Sequence, residues 1–327
     1  MNKEGRCAEP GKPCAALPFG IRTGLMSPGH DGQPGRPGIG GTDLDKDHIG
    51  DGAIKPEDYV EPRCVLCGDP YGAEPRVKAV SAQRIIAKMN EYMSRRDYAG
   101  AERHLLYWLE EARLGKDERG ELMLRNELTG HYRKTGERDK SLENAEKAVA
   151  LVEALSLLGT MSAGTTFVNA ATAYSAFGEQ ERALELFGRA KESYEEDGHT
   201  DPGLLGGLYN NMANAYAALS EYGEASAYYE KALRMMESVP GGEPERAVTC
   251  LNMADVIEKR DGMEKGEKEI FALLDEALSL LDGAREKTDP GYYAFVCEKC
   301  APAFSYYGYF LAAEDLKARA EAVYGRE

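Results

Sequence analysis

Three features of the sequence predict an all-α protein, a solenoid of about six helix hairpins. Residues Leu208 to Glu237 read as two amphipathic helices with a short break at Ser220–Glu221–Tyr222, and the same grammar stands 42 residues upstream, from Phe167 to Glu196. Small and aromatic residues recur at fixed offsets between the two stretches: Tyr174 with Tyr216, Ala183 with Ala225, Phe187 with Tyr229, Ala190 with Ala232. A fixed period with small residues in register is the mark of stacked helical hairpins. Finally, Pro202, Pro244 and Pro290 each stand where a first helix should begin, a position where a missing amide hydrogen costs little.

Taken in order, residues 1–57 read as a disordered Gly/Pro-rich tail. The run DGQPGRPGIGGTDLDKDHIGDG has almost nothing to bury and cannot offset its ordering entropy. Residues 58–79 hold a Cys-x-x-Cys knuckle candidate and a linker. Cys64 and Cys67, followed by Gly68, have the spacing at which two thiolates chelate one tetrahedral zinc ion. They supply two of four ligands, so a zinc site, a redox pair and incidental thiols all stay open. No other cofactor is expected.

From 80 to 327 the helical pattern is continuous and forms the repeat domain. Repeat one is Val80–Leu114, with Tyr92, Ala101, Leu105 and Trp108 as its markers. Repeat two runs from Asp117 to Leu158, with Tyr132 and the turn residue Gly136 each 42 before Tyr174 and Gly178. Repeats three and four are Met161–Glu196 and Pro202–Val239. Repeat five, Glu243–Asp282, carries about four extra residues around Asp261–Gly266, which predicts a longer turn. Repeat six is Pro290–Tyr324, with Phe304, Gly308, Ala313 and Ala320 in register 130 residues after repeat three.

This series of Tyr or Phe, turn Gly, Ala, aromatic and Ala resembles the tetratricopeptide repeat in its longer form, like that of kinesin light chains. Lys88 and Trp108 depart from the pattern, at positions where an apolar residue and an alanine are usual. The resemblance implies a right-handed superhelix of helix pairs whose concave face, lined by first helices, binds peptides or partner proteins.

The apolar stripe of each first helix, such as Phe167, Ala170, Ala171 and Tyr174, packs on its neighbours, so residues rotated off it face the groove. These are Asn126, Glu127 and Arg133 in repeat two, Thr165, Val168, Asn169 and Thr172 in repeat three, Asn210, Asn211 and Asn214 in repeat four, and Leu251, Asn252 and Asp255 in repeat five. Asn169, Asn211 and Asn252 recur at 42 and 41 residues as a ladder. An amide both donates and accepts, which suits an extended peptide backbone, and it serves equally to tie adjacent helices together. The expected peptide-binding residues are Asn126, Arg133, Asn169, Asn210, Asn211, Asn214, Asn252 and Asp255.

Composition narrows the partners. With 40 basic and 56 acidic residues the net charge is −16, which disfavours nucleic acid and anionic membrane surfaces. The longest apolar stretch, Ala148–Leu158, is broken by Glu153 and too short to span a bilayer. No leader is visible, and seven unevenly spread cysteines fit a reducing compartment; the chain reads as cytoplasmic. Cys250, Cys297 and Cys300 fall on packing positions and are expected to be buried. The aromatic run Tyr292, Tyr293, Phe295, Phe304, Tyr306, Tyr307, Tyr309, Phe310 in the last repeat marks a candidate homo-oligomer surface. No phosphate loop, H-E-x-x-H or nucleophile elbow is present, and His104, His131 and His199 are scattered, so an enzyme is not expected. The reading is a peptide- or protein-binding scaffold or adaptor. The alternative is a peptide-responsive regulator whose N-terminal knuckle or tail contacts a second partner.

Overall fold

The computed structural model describes residues 77–325. Twelve α-helices run through them as six hairpins, with no strand among the described residues. Repeat one is α1 (Ala82–Ser94) and α2 (Tyr98–Leu114); repeat two is α3 (Glu118–Thr135) and α4 (Arg138–Ala154). Repeat three is α5 (Met161–Ala176) and α6 (Gln180–Asp197); repeat four is α7 (Pro202–Ala218) and α8 (Tyr222–Glu237). Repeat five is α9 (Glu243–Asp261) and α10 (Met263–Ala284); repeat six is α11 (Pro290–Tyr306) and α12 (Phe310–Tyr324). As the prolines predict, Pro202 and Pro290 open α7 and α11, each behind an aspartate whose carboxylate caps the first turn.

One turn closes five of the six hairpins. Arg96, Gly136, Gly178, Ser220 and Gly308 occupy equivalent positions, with φ of 56, 78, 87, 64 and 85°. The left-handed residue brings the next amide back to the carbonyl of the marker aromatic: Asp97 to Tyr92 (2.9 Å), Glu137 to Tyr132 (2.9 Å), Glu179 to Tyr174 (3.0 Å), Glu221 to Tyr216 (2.9 Å) and Tyr309 to Phe304 (2.8 Å). This closure satisfies a terminal carbonyl that the helix leaves without a partner. It is also why glycine recurs there, since a Cβ at positive φ is disfavoured.

Repeat five departs from its expected longer turn. Gly262 alone separates α9 from α10, and the extra residues lengthen the helices to 19 and 22 residues. Gly262 adopts φ 80° and ψ 159°, a region in which essentially only glycine is found. The helices converge immediately beyond it: a Cβ on Gly266 would lie 2.7 Å from the Ile257 side chain.

Packing follows a compensation between facing positions. Gly164 on α5 abuts the buried Tyr194 of α6, so closely that a Cβ would sit 2.3 Å from its ring. One repeat later Gly206 abuts Met236, with a Cβ at 2.8 Å. One repeat earlier the same register holds Leu122 and Val152, both buried. The first-helix residue is small where the second-helix residue is large, which keeps the layer filled. Tyr174, Phe167, Phe187, Tyr229 and Phe304 are fully buried beside alanines 183, 190, 225 and 232. Each such aromatic contributes on the order of 2–3 kcal/mol of burial. Tyr132 and Tyr174 also donate through their hydroxyls to Glu102 (2.9 Å) and Glu146 (3.0 Å), each pinning a first helix to the preceding second helix.

First helices also touch one another, α3 with α5, α5 with α7, α7 with α9 and α9 with α11, whereas no two second helices meet to a comparable extent. The first helices therefore form the tighter, concave row. At the far end α12 leaves Phe310 and Leu311 exposed, at 64% and 84%. No helix among the described residues is long and apolar enough to cross a membrane.

Candidate functional site

A cleft of about 270 Å³ lies on the concave row where α1, α3 and α5 meet. Met89 and Met93 of α1 form one wall, and Asn169 and Thr172 of α5 the other. The floor is α3, which presents Asn126, Glu127, Gly130, His131, Arg133 and Lys134. The helix is held firmly. Asp117 caps it, accepting from Gly120 N (2.9 Å) and from Val80 N (2.8 Å), so the start of α3 also fixes the chain ahead of α1. Gly136 in the left-handed region ends it.

Two arginines on α3 show what is unusual here. Arg125, buried on the packing side, donates Nε to Glu121 (2.8 Å) and Nη1 to Asn144 (3.2 Å). Arg133, half-buried in the cleft, has no hydrogen-bond or ion-pair partner among the described residues; desolvation lowers its pKa. Glu127 is buried at 9% exposure and likewise has no partner among the described residues. Burial alone pushes its carboxyl up to about 7. His131 is buried with Nδ1 lacking a hydrogen bond, and desolvation is the leading cause that lowers its pKa, opposed by Glu102 and Glu137. The Nδ2 of Asn169 is also buried without a partner. A buried polar atom left unpaired costs about 1–3 kcal/mol, and such atoms are rare enough in native proteins to call for a reason.

The structure divides the sequence-derived set in two. Asn126, Arg133 and Asn169 come together in the cleft. Asn126 also donates Nδ2 to Thr166 on α5 (3.0 Å). Two repeats on, Asn210 accepts from Thr249 (3.1 Å). Because 210 lies 84 residues after 126, these are the same inter-helix clamp at equivalent sites. Asn214 accepts from Tyr229 (2.5 Å) and from Asn252 Nδ2 (3.3 Å). Asn211 is buried on α7 at 3% exposure. Asp255 binds Lys259 on its own helix (2.6 Å). The second group is thus largely engaged within the stack, joining α7, α8 and α9, although Asn210 Nδ2 is itself buried without a hydrogen bond. Val168 and Leu251, expected in the groove, are instead buried in the core, because the helices pack more closely than the stripe alone implies.

The repeat register puts Glu127 on the groove side but by itself assigns no role to Glu127 or His131. A signal was available: Glu127 lies 42 residues before Asn169, in the ladder register itself, and His131 is one turn further along the same face. The candidate zinc ligands Cys64 and Cys67 lie outside the described residues. Cys250, Cys297 and Cys300 are fully buried. Burial raises their thiol pKa values, that of Cys250 to about 12, which leaves them unreactive. Among the described residues no group of three or more His, Cys, Asp or Glu is placed to hold a metal.

A tetratricopeptide-repeat family model matches residues 206–241. No curated protein matches the chain. Among solved structures, the nearly identical kinesin-light-chain TPR-like repeats of Podosopora anserina overlay with TM-score 0.44 at 18% identity, over 62% of this chain and 94% of that one. BtubC (BKLC) from P. vanneervenii overlays with TM-score 0.44 at 18% identity, over 76% and 92%. Aspartyl phosphate phosphatase F from Bacillus subtilis gives 0.41 at 16% identity, over 74% and 68%. Residues 206–241, which match the tetratricopeptide repeat, fall in the fourth of the six helix hairpins of the described residues.

Proposed function

We propose that this protein is a binding scaffold that takes an extended peptide segment of a partner protein on its concave face, with the α1–α3–α5 cleft as the principal contact. The observation that carries the reading is the set of buried, unpartnered polar groups on rigid helices around that cleft. Groups of this kind lower the stability of the free protein and are satisfied when a ligand supplies the missing partners. The methionine wall adds an adaptable apolar surface. Asn169, whose Nδ2 is buried without a hydrogen bond, supplies an amide for a peptide backbone.

Gly130 offers a clean test. A Cβ there would meet nothing within 4 Å, so Gly130→Leu projects a side chain from the cleft floor with its first carbon unobstructed and places a better helix former on α3. Displayed random dodecapeptides are selected on the immobilised full chain, and the enriched sequences are then measured against the wild type and Gly130→Leu. Enriched peptides that lose at least tenfold in affinity for the variant support the reading. Failure to enrich any peptide, or equal binding to both proteins, overturns it.

A further inference from the structure

The cleft holds two opposite charges that do not meet. Glu127 and Arg133 stand on one helix six residues apart, about 9 Å along its axis and about 120° around it. Each lines the cleft, and neither has an ion-pair partner among the described residues. Every other strongly buried charge on α3 is paired: Arg125 is held by Glu121 and Asn144. The fold therefore uses that buried pairing where it packs helices and withholds it at the cleft. A lone buried charge is strongly unfavourable, and much less so once an opposite charge is brought to it in the same low-dielectric site.

We propose that the cleft selects peptides by a charge pair, a lysine or arginine side chain set against Glu127 and a carboxylate set against Arg133, two or three residues apart in the ligand. This deepens the peptide-binding reading and rests on it.

The spacing carries the choice of ligand class. In an extended chain, side chains two residues apart lie about 7 Å apart and three residues apart about 10 Å; the rise and rotation of the two α3 residues together separate their Cβ atoms by about 11 Å, a gap that the long side chains on both sides close. A free amino acid holds its charges too close together to reach both. A long basic residue suits the cleft, because the methylene stem of lysine or arginine packs along apolar surface while its head group reaches a carboxylate. Met89, itself buried, and Met93 provide that surface. The guanidinium of Arg133 presents a fork that accepts a carboxylate in two-point contact. In the same cleft Asn169 Nδ2, buried and without a hydrogen bond, can donate to a carbonyl of the peptide backbone. The net charge of −16 further favours approach of a ligand through its basic end.

The test uses the peptides enriched on the full chain. A fluorescently labelled peptide is titrated by anisotropy against the wild type, Glu127→Gln and Arg133→Gln, and matched peptides carry norleucine in place of the basic residue or asparagine or glutamine in place of the acidic one. The expected consensus contains a basic and an acidic residue two or three positions apart. Glu127→Gln should weaken the parent peptide at least tenfold and leave the norleucine peptide unchanged; Arg133→Gln should do the same for the acidic position. Arg133→Lys should recover part of the loss, and circular dichroism should show both glutamine variants folded. Peptides that depend on an open Gly130 but carry no such charge pair, or that bind Glu127→Gln and Arg133→Gln as tightly as the wild type, overturn the charge-pair inference and leave the groove intact. Absence of any enriched peptide overturns both.

Discussion

Replacing Glu127 with glutamine should stabilise this protein at neutral pH and leave its stability unchanged in acid. The carboxyl is buried on α3 with no partner among the described residues, and burial lifts its pKa from 4.5 to about 7. A folded value above the unfolded one means that the native state holds the proton more tightly. The contribution of the protonated group is complete below about pH 4.5, shrinks as the pH rises towards 7, and is gone above it. The interval is about 2.5 pH units, so the native chain carries a penalty of about 3 kcal/mol at pH 8. Glutamine keeps the shape and removes the charge. His131, Arg133 and Lys134 face the same cleft, but they are common to both proteins and cancel in the difference to first order. Trp108 is the single tryptophan and packs on the cluster of Ile85, Met89, Leu105, Leu124 and Leu128. Its fluorescence reports this end of the solenoid directly, which matters because repeats need not unfold together. In urea titrations the variant should unfold later than the wild type at pH 8 and together with it at pH 4.5. Equal midpoints at pH 8, or a less stable variant, would show that the carboxylate has a stabilising partner and that the reasoning is wrong.

Three further outcomes are expected. Gly164→Ala drives a Cβ into the ring of buried Tyr194 and should lower stability by about 1–3 kcal/mol, whereas Gly188→Ala on α6, which meets nothing within 4 Å, should raise it by about 1 kcal/mol; denaturant midpoints of the two variants decide it. Ser220 holds the left-handed turn position at φ 64° that glycine holds in repeats two, three and six, so Ser220→Gly should gain about 1 kcal/mol and Gly178→Ser lose about as much, by the same measurement. Cys250, Cys297 and Cys300 should resist a thiol reagent in the native protein and react in urea, followed by mass spectrometry of the labelled peptides; rapid native labelling of Cys300 would contradict its full burial.

Much of the fold was legible because each repeat restates it. The marker aromatic, turn glycine and alanines recur at one period, and the closure from Glu179 to Tyr174 or from Glu221 to Tyr216 requires that order of residues. Repeat five was misjudged for a physical reason. Extra residues lengthen a loop only if something stops the helices, and between Asp261 and Gly266 the only breaker that acts is Gly262; the helices consumed the insertion instead. The site was half legible. Periodicity identified which first-helix positions face inward, and so found Asn126, Arg133 and Asn169. It could not say which inward amides the stack itself engages, because the Thr249–Asn210 and Tyr229–Asn214 bonds join residues 39 and 15 apart through packing that no local pattern encodes.

That division explains where on the concave row a ligand should gain most. The ladder register reads Glu127, Asn169, Asn211, Asn252 from the N-terminal end. At its C-terminal end Asn252 bonds to Asn214, which also accepts from Tyr229. A peptide that claimed those amides would first have to break bonds inside the solenoid, and the exchange of one hydrogen bond for another yields little. At the N-terminal end Glu127 and the Nδ2 of Asn169 have nothing to give up. Each bond made there removes a penalty that the free protein already carries, so the same contact yields more. Asn169→Ala should therefore weaken a bound peptide by about tenfold or more, since a bond worth on the order of 1 kcal/mol or above is lost. Asn252→Ala should change affinity little and lower stability, because it removes a bond to Asn214 in the α7–α9 packing. The reverse pattern, with affinity lost at Asn252 and stability lost at Asn169, would place the ligand over α7 and α9 and leave the N-terminal cleft without a role.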